Sequence, residues 1–398
     1  MAFSWSNPRV SPIAIDLGID SVKALQIVPG ESPQVIAAAC VSVPGQVRAD
    51  PTLRMAFYNE AMRDLLRSAP FKGKRVAFAI PAIQTLVQHL QITKVEGEEL
   101  SNQVGLMLRQ KLNLDPARLV MRPVQVGPVV RDGVSKHEVI CLAASRETVM
   151  RILSLASAHK LDVVGMHCEP LAIIQAFVHL YRRPGDEERT TCFIDIGAGT
   201  TKVLIAHGQN LVFAKHINVA GDHFTRALAQ SQKIEFDQAR QTRLRFADAA
   251  ETHTAPIRRG TPNGVDDLDT EVSPSNLTTS LTGPATATAA RPSDATLLHP
   301  ETLESVIEEV QLCVRYHQSL FPGRVIEKLV FIGGEARQVR LCQKIARAVR
   351  IGAQLGDPLA RLARPSSAKA QFGVDLQQPQ PGWSVPVGLC TLNTTDGK

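Results

Sequence analysis

No stretch of the 398-residue chain approaches the roughly 20 consecutive apolar residues that a membrane-spanning helix needs, which argues against a helical membrane protein. Aromatic residues are scarce, at 5%, and none interleave with a basic stripe. The excess of six Lys plus Arg over Asp plus Glu therefore reads as a solvated surface and not as a nucleic-acid site. The seven cysteines, Cys40, Cys141, Cys168, Cys192, Cys313, Cys342 and Cys390, are odd in number, far apart and without a C-x-x-C spacing. That pattern of single thiols argues against a disulfide framework or a zinc ribbon and for a reducing compartment. The opening MAFSWSNPRVSP lacks the apolar core of a signal peptide, so the expected location is the cytoplasm.

What the chain does have is an ordinary globular composition, 44% apolar and 21% charged, and length enough for two or three domains. One segment departs from it. From about 249 to 300 the sequence is rich in Thr, Ala, Pro, Ser and Asp and has no aromatic residue; it cannot bury enough apolar surface to offset its ordering entropy and is expected to be a disordered insertion. It splits a helical region. HFTRALAQSQKIEFDQARQTRLRF reads as two helices, and after the insertion Leu303, Val306, Ile307, Val310 and Val314 recur at helical spacing. RVAFAIP and TLVQHLQI read as paired strands, GEELSNQVGLMLRQKL as a helix, HEVICLAAS as a strand and RETVMRILSLASAHK as an amphipathic helix. Together they predict a compact α+β block over about 74–165, inserted after a first mixed domain.

The most informative feature is a repeat. IAIDLGIDSVKALQI and CFIDIGAGTTKVLIA share one design: apolar strand, Asp, apolar residue, Gly, short turn, Lys, apolar strand. Asp16 falls over Asp195, Gly18 over Gly197 and Lys23 over Lys202. Two such hairpins, well over a hundred residues apart, suggest two pseudo-equivalent domains facing one cleft. Small turn residues let backbone N–H groups converge on an anion, and the strand-end carboxylates of Asp16 and Asp195 suit Mg2+ held through water. A third element, KLVFIGGEARQVRLCQKIARAV, is strand, Gly333-Gly334, then helix, a geometry that lets backbone approach a flat ring or a phosphate. Each piece alone is more often a plain hairpin or loop.

Together and in this order the three elements resemble the actin, hexokinase and heat-shock ATPase superfamily. Within it the chain resembles the type IV pilus assembly PilM family, itself similar to FtsA, over nearly all of its length except the insertion. IAIDLGIDSVKALQI, VVGMHCEPLAI, FIDIGAGTTKVLIAHGQNLVFAKHINVAGDHFTRAL, IGGEARQVRL, LGDPLARL and WSVPVGL carry the resemblance. It implies an α/β, actin-like (ribonuclease H-like) two-domain fold with an FtsA-type inserted α+β subdomain. The implied division is 9–73 with 160–188 and 383–398 for the first domain, 74–159 for the insert, 189–222 with 325–382 for the second domain, and 223–324 for a helical subdomain. It also implies ATP and Mg2+ in the central cleft, with Gly18, Ser21 and Lys23 in the first phosphate hairpin and Gly197, Gly199, Thr200 and Thr201 in the second. Gly221, Gly333 and Gly334 would complete the nucleotide site, and Glu169 would sit at the inter-domain connector. The implied partner is the cytoplasmic N-terminal tail of a PilN-like membrane protein.

The sequence departs from the family pattern in four places. Ile19 and Asp20 stand where hydroxyl donors are usual, so the expectation is either a negative charge beside the phosphates and a loop that holds them weakly, or an Asp20 turned outward. Ala220 replaces a glycine, and Arg240 replaces an acid expected at the ribose. Rival readings are a phosphotransferase of the same superfamily and an FtsA-like filament. The polar end CTLNTTDGK does not suggest the amphipathic anchor of the latter. His159, His167 and His179 fall on different elements and do not suggest a metal set, while Trp383 reads as a packing anchor.

Overall fold

Strict alternation in the two Asp-x-Gly strands decides where their aspartates face. In β1 (Ile13–Leu17), Ile13, Ile15 and Leu17 pack outward against α2 (Pro51–Arg67) and α4 (Arg146–Ala158), which leaves Ala14 and Asp16 on the inner face. In β9 (Thr190–Ile196), Cys192, Ile194 and Ile196 pack outward against α8 (Pro300–Leu320) and α9 (Val339–Val349), which leaves Phe193 and Asp195 inward. The computed structural model describes residues 10–93, 96–131, 133–249, 297–362, 374 and 378–392; the expected insertion at 249–300 lies almost wholly outside them.

Each aspartate-bearing strand is central in a five-stranded sheet, and the two sheets share one topology. The first has the order β3-β2-β1-β4-β8, with β2 (Ser21–Val28), β3 (Gln34–Ser42), β4 (Arg75–Ile80) and β8 (Asp162–Cys168). The second has the order β11-β10-β9-β12-β13, with β10 (Thr201–His207), β11 (Asn210–Ile217), β12 (Lys328–Ile332) and β13 (Ala353–Leu355). In both, an antiparallel three-strand meander is extended by two parallel strands. Between the inner faces lie α5 (Glu169–Phe177) and α10 (Ser384–Leu392), whose Ile173, Phe177, Val387 and Leu389 join Ala14, Leu25, Phe193 and Leu204 in one buried cluster. Trp383 is buried in the same cluster.

The inserted block is a three-stranded sheet, order β5-β7-β6, from β5 (Thr85–Ile92), β6 (Leu119–Arg131) and β7 (Val134–Ser145), with α3 (Gly97–Leu112) packed on it. One sequence expectation is corrected here. RVAFAIP and TLVQHLQI are not paired: β4 lies between β1 and β8 in the first sheet, and β5, among the described residues, pairs only with β7. A short 3-10 turn, Ala82–Gln84, carries the chain from one sheet to the other.

The remaining elements lie across the cleft mouth. α1 (Gly45–Arg48) precedes α2, whose start is fixed by Asp50 accepting from the N–H groups of Thr52 at 2.7 Å and Leu53 at 3.0 Å, with Pro51 in the first turn. α6 (Gly221–Gln232) and α7 (Phe236–Ala249) follow the second meander.

Candidate functional site: the cleft between the two hairpins

Register pairs the charges. Asp16 lies opposite Lys23 across β1 and β2, and Asp195 opposite Lys202 across β9 and β10. The Lys23 ammonium is 3.8 Å from Asp16, whereas Lys202 lies 2.9 Å from Asp195 and also contacts Glu169, the first residue of α5. The second Glu169 oxygen accepts from the Ala82 N–H at 2.7 Å, which ties the connector helix to the entrance of the inserted block. Asp16, Asp195, Glu169 and Lys202 are all buried.

Burial pushes the Asp16 carboxyl up to about 6, with Lys23 opposing and Glu169 adding to the rise. Burial would also raise Glu169, but the Lys202 charge, its hydrogen bond and the Ala82 N–H together hold it below the ordinary carboxylate value. Burial works against Lys202 as a cation, yet Asp195 and Glu169 raise it above an ordinary lysine. Lys202 is thus a fixed positive charge between two carboxylates.

The glycine turns are largely satisfied by the chain itself. The Gly197 N–H donates to Thr200 O at 3.1 Å. The first donors of α6 are spent on the same turn, Gly221 N–H to Gly197 O at 3.0 Å and Asp222 N–H to Ala198 O at 2.8 Å. The Thr201 hydroxyl donates to Val219 O at 2.7 Å, and the Gly333 N–H to Pro381 O at 2.9 Å. Gly18 closes tightly over Ser21 O; Ser21 and Thr200 are buried. The room that three glycines leave is filled by side chains: a Cβ on Gly199 would strike Ile19, one on Gly221 would strike the Glu335 carboxylate, and one on Gly333 would strike Asp195. Gly333 also has φ 89, which a side chain would strain. Beside Gly334, in contrast, a Cβ would meet nothing.

At the mouth, the partly exposed Asp20 is held between two arginines. Arg48 reaches it at 2.7 Å and Arg240 contacts the same oxygen, while the other Arg48 nitrogen lies 3.3 Å from Asp222. Ala220 is buried at the start of α6. Arg243, one turn after Arg240 on α7, is buried to 2% exposure and bonds Glu335 at 2.6 Å, Gly221 O at 2.8 Å and Thr225 Oγ1 at 2.9 Å. Sequence reasoning missed Arg48, Asp222, Arg243 and Glu335, because each acts through a partner distant in sequence; Asp222 and Glu335 lie within the quoted family segments, but nothing in those segments marks their arginine partners.

ATP with Mg2+ does not fit the cleft in this arrangement. Lysine ammonium groups already neutralise the proposed metal carboxylates. Ile19 and Asp20 fill the space over the second turn and its rim, and Arg243 with Glu335 fills the space beside Gly221. Among the described residues no cluster of three or more His, Cys, Asp or Glu could hold a metal ion.

Paired sheets of one topology, two Asp-x-Gly hairpins and a strand-Gly-Gly segment define an actin-like ATPase fold. The family model for the type IV pilus assembly protein PilM matches residues 14–249, more than half of the chain, and the chain belongs to that family. The model for the cell division protein FtsA matches residues 192–379. Among solved structures, a chain of a PilM-PilN type IV pilus biogenesis complex superposes with a TM-score of 0.71 at 17% identity, covering 96% of this chain and 98% of that one. The ethanolamine utilization protein EutJ from Carboxydothermus hydrogenoformans gives 0.49 at 14% identity, over 97% and 90%. MreB5 of Spiroplasma citri bound to AMPPNP gives 0.46 at 14%, over 98% and 97%. No curated protein matches the sequence.

Proposed function

We propose that the chain is a cytoplasmic scaffold of a type IV pilus, or of a related type II secretion machine. In this reading it binds the cytoplasmic N-terminal tail of a PilN-like inner-membrane protein and is held at the membrane through that partner. The observation that carries it is the family match together with whole-length similarity to a chain of a PilM-PilN complex. Among the described residues no helix is long and apolar enough to cross a membrane, in keeping with attachment through a partner.

The geometry favours a scaffold over a phosphotransferase. Glu169, the acid at the start of the connector helix, has one oxygen on the Ala82 N–H and the other on Lys202, and is not free to act as a base. Uptake of ATP by the glycine turns would require the lobes to part, and hydrolysis is expected to be weak or absent. The division into a first domain, an insert, a second domain and a helical subdomain belongs to the same proposal.

The test is calorimetric titration of the full chain with a synthetic peptide of the N-terminal tail of the PilN-like protein from the same genome. One-to-one binding with a Kd on the order of micromolar is expected. No heat of binding, with no co-purification of the two full-length proteins, would overturn the reading.

A further inference from the structure

Four charges alternate across the cleft mouth: Arg240 on α7, Asp20 in the first hairpin, Arg48 on α1 and Asp222 on α6. The two inner members belong to the first lobe and the two outer members to the second, so every contact but one in the chain of charges joins the lobes. Each member is held by further bonds. The Arg48 Nε donates to Val43 O at 3.0 Å, and the Arg48 carbonyl accepts from Arg54. α7 is fixed by Arg243 on Glu335 and by Gln338 donating to Arg243 O at 2.9 Å, which aims Arg240 from the preceding turn at Asp20. α7 also lies directly on α1, since a Cβ on Gly45 would meet the Asp237 carboxylate. Below the mouth, Ile19 of the first hairpin rests on Gly199 of the second. At the floor, Lys202 joins Asp195 of the second sheet to Glu169 of the connector.

We infer that the protein supplies from its own chain the charges that close its cleft: Asp20 stands where an anionic ligand would bridge Arg48 and Arg240, and Lys202 stands as the cation between Asp195 and Glu169, so that the closed scaffold needs neither nucleotide nor magnesium. A charge buried on closure is costly unless paired, and a neutral alternating chain leaves none unpaired. Such a chain does from within what a phosphate and a metal ion would otherwise do. Asp20 is then no obstacle to an anion. It is the anion.

The test measures closure directly and does not involve the membrane partner, so its failure is separate from that of the scaffold reading. Cys40 is the one exposed cysteine of the seven. A Cys40→Ser background with Glu60→Cys on α2 and Ser231→Cys on α6 takes spin labels on the two lobes. The nucleotide-free protein in EDTA is expected to give one narrow distance distribution, unchanged by ATP and Mg2+, and Asp20→Asn or Arg240→Gln is expected to broaden it. In parallel, ATP with Mg2+ should move the thermal midpoint of the unlabelled protein by less than about 1 °C, against roughly 5 °C or more for a cofactor at a hundredfold its Kd. A broad distribution that narrows on adding ATP and Mg2+, a midpoint shift of the larger size, or a distribution left narrow by both substitutions would overturn the inference.

Discussion

Lys202 is buried between Asp195 and Glu169, and removing its charge leaves two carboxylates facing each other with no cation between them. Breaking a buried pair from one side costs about 3–5 kcal/mol, so Lys202→Met should lower the thermal midpoint by roughly 10 °C. The double variant Lys202→Met with Glu169→Gln should recover part of the loss, which a thermal melt of each protein would show. Failure of the double variant to recover anything would mean that packing of the lysine stem, and not its charge, holds the site. Both aspartates and both lysines were legible in the sequence, because period-2 alternation fixes a strand's faces and the repeat superimposed the two hairpins. The role of Asp20 was not. Its partners lie 28 residues away at Arg48 and 220 residues away at Arg240, and no local spacing encodes a contact of that range.

Elements were read more easily than their pairings. The strands that open the two sheets, the helices on either side of the insertion and the Gly-Gly segment follow from alternation, helical spacing and turn residues. The β4–β5 link did not, because a connection of a few residues suggests a hairpin, while the true neighbours of β4 lie far off in sequence on β1 and β8. The α10–α5 contact was likewise invisible. At Gly388 the backbone of α10 comes so close to the Ala172 carbonyl that an added Cβ would overlap it, and a helix backbone cannot yield as a flexible side chain can. Gly388→Ala should therefore destabilise the protein by about 1–3 kcal/mol through overpacking. Chemical denaturation is expected to show a lower midpoint at unchanged slope. An unchanged midpoint would show that α10 can slide on α5 without loss.

At the scale of the whole molecule, acid should act mainly through four partly or fully buried histidines. Burial lowers His179, His207, His216 and His317 to about 4 each. His207 and His317 face each other with their Nε2 atoms 2.9 Å apart, Phe321 packs against both rings, and Arg324 opposes a charge on either. His216 lies near Lys202 and Glu169, and His179 near Arg361 and Arg182. A histidine held neutral in the fold with a depressed value takes up its proton more readily when unfolded. The stability it represents is present above the ordinary value of 6.5 and is lost as pH falls from there towards 4. Between pH 7 and 5 each contributes a loss of about 1–2 kcal/mol at most. Asp16 and Asp222 work in the opposite sense, since burial raises both carboxyls, Asp16 to about 6, and the fold gains on their protonation as pH falls, but they are two groups against these four histidines and His223, which burial also lowers. The thermal midpoint should accordingly fall from pH 7 to pH 5, and the variant carrying His207→Gln with His317→Gln should show a shallower fall. A midpoint that stays level across this range, or a variant whose fall is as steep as that of the parent, would remove the histidine pair as the source of acid sensitivity.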